Sequence, residues 1–319
     1  MGHLDGGTWH VQQGFPTDAS GAFTRAPTTF RGTVEPAAAA EAGRHHLYVA
    51  LACPWAHRTL VARALLGLEQ AISVSVVHPY MGEQGWTFAP ADGVVPDPIH
   101  GATYLWEIYR AADPKFTGRV TVPVLWDRVA NTIVNNESRE ILRMMSTRFA
   151  SLGHGRLDLA PIELRPSIEA ALDAMYGTVN NGVYRAGFAR TQGAYDRAVT
   201  ELFAALDGWE TRLGTNRFLC GDVVTEADIC LYTTLFRFDA VYHGHFKCNL
   251  RRIVDYPNLW GFLRDVYQLP GVAAVSNVEH CKQHYYRSHA HINPTGIVPA
   301  GPIQDLSSPH HRGPPLALG

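Results

Sequence analysis

The stretch ACPWAHRTL, residues 52–60, sets Cys53 directly before Pro54 and the start of an amphipathic helical pattern. A thiol at a helix N-terminus meets unpaired backbone N–H groups and the positive end of the helix dipole. Both lower its pKa from about 8.5 and favour the nucleophilic thiolate. A buried, inert cysteine fits the same position, so placement alone leaves two readings. Cys220, Cys230, Cys248 and Cys281 fall within or between helical patterns and read as inert. No CxxC is present, and Ala56 stands where a second thiol would complete one. Redox chemistry at Cys53 therefore needs an external thiol to resolve it.

Two further strings suit such a visitor. Val122-Pro123 interrupts an apolar run at a place where proline removes a ladder hydrogen bond. Either the bond is cis and turns the Val122 backbone outward to pair with an extended peptide-like ligand, or this is an edge strand with a trans proline. Asn135-Asn136-Glu137-Ser138 opens a helix, with Asn136 as the expected cap. The helix amides and the Ser138 hydroxyl suit a carboxylate and Glu137 suits an ammonium group, together a zwitterionic amino-acid end. Simple capping explains the same residues.

Other candidates read as structural. Thr225-Glu226-Ala227-Asp228 fits a capping box and is assigned to folding. His280 and His284 lie one helical turn apart, but no carboxylate in that cluster completes a zinc site, and no metal is expected. Tyr184, Tyr285 and Tyr286 are of a type found more often in a core than in a site.

These residues need elements to hold them. Residues 46–51 read as a strand, 54–68 as a helix opened by Pro54, and 72–76 as an alternating strand, together a βαβ unit. Residues 120–126 and 132–134 read as two strands and 137–149 as a helix, so the order βαβ, insertion, ββα is that of the thioredoxin fold. The expected division is an extended arm over 1–43, a thioredoxin-like α/β domain over 44–155 with an insertion at 79–118, an all-α domain over 156–290, and a tail over 291–319. The tail is rich in Pro and Gly and packs as extended chain or stays mobile.

With 319 residues, 46% hydrophobic, 18% charged and a formal net charge of −2, the chain carries no field suited to nucleic acid or an anionic membrane. No apolar run reaches the roughly 18 residues of a membrane span, and the first residues lack the pattern of a signal peptide. Five scattered cysteines suit a reducing compartment, so a cytoplasmic location is expected.

The strings ACPWAHRTL, SVVHPYMGEQGWTF, GRVTVPVLWD, TIVNNESREILRM, TEADICLYTTLFRFDAVYHGHFKCNLRRIVDYPNLW and INPTGIVP, in this order, resemble the glutathionyl-hydroquinone reductases, the Xi class of glutathione transferases. The resemblance runs from about residue 45 to 300. It implies a catalytic Cys53, glutathione as co-substrate, and a glutathione site at Trp86, Arg119, Val122, Pro123, Glu137 and Ser138. It also implies that Tyr184 and Tyr285 line a hydroquinone pocket, and that the protein is a homodimer. Two other functions stay open: an Omega-like thiol transferase or dehydroascorbate reductase, and a non-catalytic glutathione-binding scaffold.

Overall fold

Asp5-Gly6-Gly7-Thr8 turns the chain back on itself: both glycines have positive φ, 54° and 82°, as a two-residue hairpin turn requires. The turn joins β1 (Gly2–Asp5) to β2 (Thr8–Val11). The N-terminal segment read as an extended arm thus begins with paired strands, and it also carries a short helix, α1 (Pro36–Ala39). The computed structural model describes residues 2–11, 14–39, 41–153 and 157–314. The expected boundary at 155 and the last five residues of the tail lie outside them.

Packing divides the chain into two units. The first takes Met1–Gly14, Pro27–Leu157 and Glu279–Gly296, and the second Phe15–Ala26, Asp158–Val278 and Ile297–Gly319. In the first unit, β3 (His45–Val49) is buried at every residue, as a strand covered on both faces must be. α2 (Pro54–Leu65) opens on its proline, whose missing N–H is an orphan of the first turn in any case. It gives way at Gly67, which takes the left-handed φ of 67° that ends many helices. There follow β4 (Ile72–Val76), α3 (Leu105–Ala112), β5 (Gly118–Arg119), β6 (Val124–Asp127), β7 (Thr132–Asn135) and α4 (Ser138–Thr147).

The main sheet runs β4-β3-β6-β7, with β3 and β4 parallel and the other pairs antiparallel. α2 packs against α4. Their Leu60, Val61, Ile141, Leu142 and Met145 are buried, as are Leu47 and Val49 of the sheet. This is the expected thioredoxin-like arrangement. β1 also pairs with β5, so β2-β1-β5 forms a second, small sheet. The expected strand over 120–126 starts only at Val124, because Pro123 has no N–H to give the ladder; the Val122-Pro123 bond is cis.

A polar chain fastens the insertion to the sheet. Arg128 donates to Ser73 Oγ (2.8 Å), which lies 2.7 Å from His46 Nδ1. His46 Nε2 lies 2.9 Å from Ser75 Oγ, which donates to the Pro96 carbonyl. Ser75 spends its proton on that carbonyl, so it accepts from Nε2–H, and the imidazole is the neutral Nε2 tautomer. Beside it Tyr48 donates to Asp97 Oδ1 (2.9 Å), and the same carboxylate accepts from the amides of Ile99, His100 and Ala102. Burial works to raise the Asp97 pKa, but these donors together hold it below the usual carboxylate value.

α11 (Val278–Ser288), read from sequence as part of the helical domain, packs from Glu279 onward with the first unit. The reason is polar. His280 Nε2 meets the Asp92 carbonyl at 2.7 Å, His284 Nδ1 meets the Pro79 carbonyl at 2.9 Å, and Met81 N donates to Ser288 Oγ. Carbonyls only accept, so each of these two ring nitrogens carries the hydrogen and donates it to the insertion. Among the described residues no group of three or more His, Cys, Asp or Glu is placed to hold a metal ion.

The second unit is helical: α5 (Arg165–Met175), α6 (Gly182–Gly187), α7 (Gln192–Leu213), α8 (Glu226–Arg237), α9 (His243–His245) and α10 (Pro257–Tyr267). The Thr225/Asp228 capping box forms as read. The buried Asp228 accepts from Leu219 N, Thr225 N and Thr225 Oγ1, while burial pushes its pKa up to about 6. Two π-helical turns, Tyr176–Asn180 and Phe238–Tyr242, interrupt the regular helices. The tail lies down as extended chain: Arg312 donates to the carbonyls of Leu213, Asn216 and Arg217, and Gln268 to those of Leu306 and Ser308.

Burial, and secondarily Arg128, pushes the His46 pKa down to about 4 from an ordinary 6.5. Between these values the unfolded chain binds a proton that the folded one refuses. The His46 contribution is therefore complete above pH 6.5 and is lost as pH falls to 4. The loss is about 3 kcal/mol. Urea unfolding of wild type and His46→Gln between pH 7 and 4 should show a flatter pH dependence in the variant, and NMR should find the His46 ring neutral at pH 5.

Candidate functional site

Cys53 is the N-cap of α2, with extended backbone (φ −80°, ψ 121°) and its carbonyl bonded to His57 N. The side chain is half-buried, and Sγ lies 3.6 Å from the Val122 carbonyl oxygen. The sulfur thus sits where the dipole of a twelve-residue helix favours negative charge, next to the Val122-Pro123 loop. Cys230, Cys248 and Cys281 are fully buried, and burial drives the Cys248 thiol far up. Cys220 is half-buried, but desolvation and then Asp228 raise its pKa too. Cys281 is nonetheless near: its thiol donates to the carbonyls of Leu51 (3.8 Å) and Ala52 (4.0 Å), bracing the loop that leads into Cys53.

Tyr109, which the sequence pattern did not single out, holds the other side of this loop. Its buried hydroxyl donates to Thr121 O at 2.8 Å, accepts from Thr121 N at 3.2 Å, and accepts from Asn136 Nδ2 at 3.0 Å. One oxygen thereby fixes both the residue before Val122 and the residue before Glu137.

Asn136 is consequently not the cap of α4. Its amide is turned inward to Tyr109 and to Phe30 N, and Glu137 takes the N-cap, its carboxylate accepting from Arg139 N at 3.3 Å. Glu137 also accepts from Thr28 Oγ1 (3.3 Å) and Ser138 Oγ (3.4 Å). Ser138 in turn accepts from Arg58 Nη1 of α2 at 3.3 Å. Arg58, also absent from the expected set, ties the start of α4 to the helix that carries Cys53.

The remaining expected residues are placed as follows. Arg119 is in β5, half-buried and paired with His3. Trp86 is buried, stacked on His284 at 4.7 Å between ring centroids, and its carbonyl accepts from Leu105 N. Tyr285 is 2% exposed and meets His284 edge-on at 5.2 Å and His289 at 5.4 Å. His284, considered from sequence only as a metal ligand, is the joint between Trp86 and Tyr285. The i, i+4 spacing of His280 and His284 did mark the face of α11 that meets the insertion.

Tyr184 belongs to the second unit, on α6, and is described there alone. Phe188, Tyr242 and Phe246 surround its ring with centroids at 5.6–6.0 Å, and the Arg25 guanidinium lies over it at 5.0 Å. Tyr184 follows one π turn and Tyr242 ends the other. Asn180 pins the first to α8 through Cys230 O and Thr234 Oγ1. Such turns rotate the following side chains off the regular helical register.

The glutathione S-transferase N-terminal domain model matches residues 52–148 and the C-terminal domain model residues 192–265. Glutathionyl-hydroquinone reductase PcpF of Sphingobium chlorophenolicum is 52% identical over 306 residues, 96% of this chain and 98% of that one. The structure of a Xi class GST from Natrialba magadii superposes with a TM-score of 0.90 at 50% identity, covering 98% of this chain and 96% of its own. This chain belongs to the Xi class of glutathione S-transferases. The glutathione-bound structure of YqjG, a glutathione transferase homolog from Escherichia coli K-12, matches with a TM-score of 0.87 at 52% identity over 98% of this chain and 99% of that one.

In this Xi-class transferase the cysteines differ in environment enough to separate them chemically. Limiting iodoacetamide at neutral pH should label Cys53 first, with Cys230, Cys248 and Cys281 reacting only after unfolding. Peptide mapping by mass spectrometry reads the order.

Proposed function

We propose that this transferase reduces glutathionyl-hydroquinones with glutathione, and that Cys53 carries the reaction. The observation that bears most weight is the lone thiol at the N-cap of α2, half-buried and 3.6 Å from the Val122 carbonyl, in a chain so similar to named reductases of this kind. The Val122 backbone and the Glu137-Ser138 turn are assigned to the peptide and γ-glutamyl parts of glutathione, with Trp86, Arg119 and Pro123 completing the site. These assignments rest on the family motif and on Tyr109 holding two of the segments together.

In the first step the Cys53 thiolate attacks the sulfur of the thioether. The new bond is Cys53 S–S glutathione, and the bond that breaks joins sulfur to the ring carbon. A bare aryl carbanion is a very poor leaving group. The ring therefore first takes its keto form by protonation at the sulfur-bearing carbon, so that an enolate departs and reverts to the hydroquinone on protonation. In the second step a further glutathione attacks the mixed disulfide, giving oxidised glutathione and free Cys53. Tyr184 and Tyr285 are assigned to hydrogen-bonding the ring oxygens and assisting that proton transfer. The enzyme is placed in the cytoplasm, where glutathione is reduced, and as a homodimer by the habit of its class. No described helix is long and apolar enough to cross a membrane.

A thiol transferase or dehydroascorbate reductase would use the same cysteine, so substrate separates the readings. Incubated with a glutathionyl-hydroquinone, the wild type should show a glutathione adduct by intact mass and release hydroquinone, and Cys53→Ser should do neither. Neither product from wild type, with dehydroascorbate reduced instead, would overturn the assignment. For the tyrosines, Tyr184→Phe and Tyr285→Phe should each lower kcat about 10- to 100-fold with little change in mixed-disulfide resolution. Unchanged turnover would remove them from the mechanism.

A further inference from the structure

Arg58 is 3% exposed, yet its guanidinium has little to satisfy it. Nη1 donates to Ser138 Oγ at 3.3 Å, the Trp55 ring lies 4.4 Å from Cζ, and Nε is buried with no hydrogen-bond partner. Among the described residues no carboxylate lies within 4.0 Å of it; the nearest acid along its hydrogen bonds is Glu137, beyond the Ser138 hydroxyl. Burying an ion costs several kcal/mol unless an opposite charge compensates it, and one face-on aromatic returns about 0.5–2 kcal/mol. Arg58 lies at the N-terminus of the ten-residue α4, where free amides and the dipole already favour an anion.

We infer that Arg58 is a positioning residue for glutathione: through Ser138 it supplies the buried positive charge for the α-carboxylate of the γ-glutamyl group. The inference rests on the reading above that Ser138 and the start of α4 receive that carboxylate. Because Ser138 accepts from Arg58, its own proton is directed away from α2, now toward Glu137 and, with ligand bound, toward the carboxylate. The cation thus acts twice, polarising the hydroxyl that binds and lowering the potential energy of the charge that arrives. Trp55 keeps the guanidinium plane in place by stacking, which a lysine could not reproduce.

The probes are S-methylglutathione, which has no thiol to oxidise, and its analogue lacking the γ-glutamyl α-carboxylate, with binding measured by calorimetry. Arg58→Met should weaken S-methylglutathione about 10- to 100-fold, the range of a lost charge-assisted interaction, and leave the analogue's affinity as in wild type. In turnover, KM for glutathione should rise with kcat at saturation nearly kept. Arg58→Lys, which retains the charge and guards against misfolding of the methionine variant, should weaken S-methylglutathione by less, again without touching the analogue. Equal weakening of both probes, or of neither, in the folded variants overturns the inference. Ser138→Ala separates the two levels: if it also fails to tell the probes apart, the carboxylate reading itself falls; if it does tell them apart, only the role of Arg58 is lost.

Discussion

The Tyr109 hydroxyl is the constraint on which the first unit's site depends. It is one buried oxygen with four polar contacts, two to the Thr121 backbone, one to the Thr121 hydroxyl at 3.3 Å and one to the Asn136 side chain. In sequence the two segments it joins are linked by the β6-β7 hairpin. A phenol without its oxygen would leave the Thr121 amide and the Asn136 side chain to seek other partners in a dry interior, and unmet buried polar groups cost about 1–3 kcal/mol each. The Val122 carbonyl keeps its distance from Cys53 because the residue before it is held, and α4 starts at Ser138 because Asn136 is engaged elsewhere. Burial raises the Tyr109 pKa, so the hydroxyl keeps its proton and its donor role.

The same economy governs the insertion. A segment of this length with little regular structure bonds partly within itself and partly to its surroundings, on three sides: Ser75 of β4 and Tyr48 of β3, the face of α11, and the N-terminal hairpin, whose Trp9 indole donates to Glu83 O. Trp86 is carried by this segment. Its place is thus set by contacts to parts of the chain remote in sequence, with stacking on His284 as the last of them.

What was legible in the sequence was what is local. Cys53 before a helix-opening proline, the alternation of the strands, the Thr225/Asp228 box and the proline that breaks a strand all declare themselves within a few residues. The Asp-Gly-Gly-Thr hairpin belongs to that class as well, though the glycines that make its turn also suit an extended arm. Asn136 as a cap was the reasonable local choice; it failed because Tyr109, 27 residues away, competes for its amide. The placement of α11 was beyond pattern reading: the carbonyls that draw it to the first unit lie 188 and 205 residues upstream of its histidines. Arg58 carries no local mark either, since nothing in the string HRTL distinguishes a buried cation from a surface one.

α11 has a consequence for the order of events at the ribosome. The strands of the first unit and its helices α1 to α4 all precede Leu157, but the stretch that fastens its insertion begins only at Glu279. At about 5–20 residues per second the intervening chain takes on the order of ten seconds to synthesise. During that interval Pro79, Asp92 and Trp86 are without their histidine partners. The insertion that carries Trp86 is thus fastened by a helix made more than a hundred residues after the strands of its own unit.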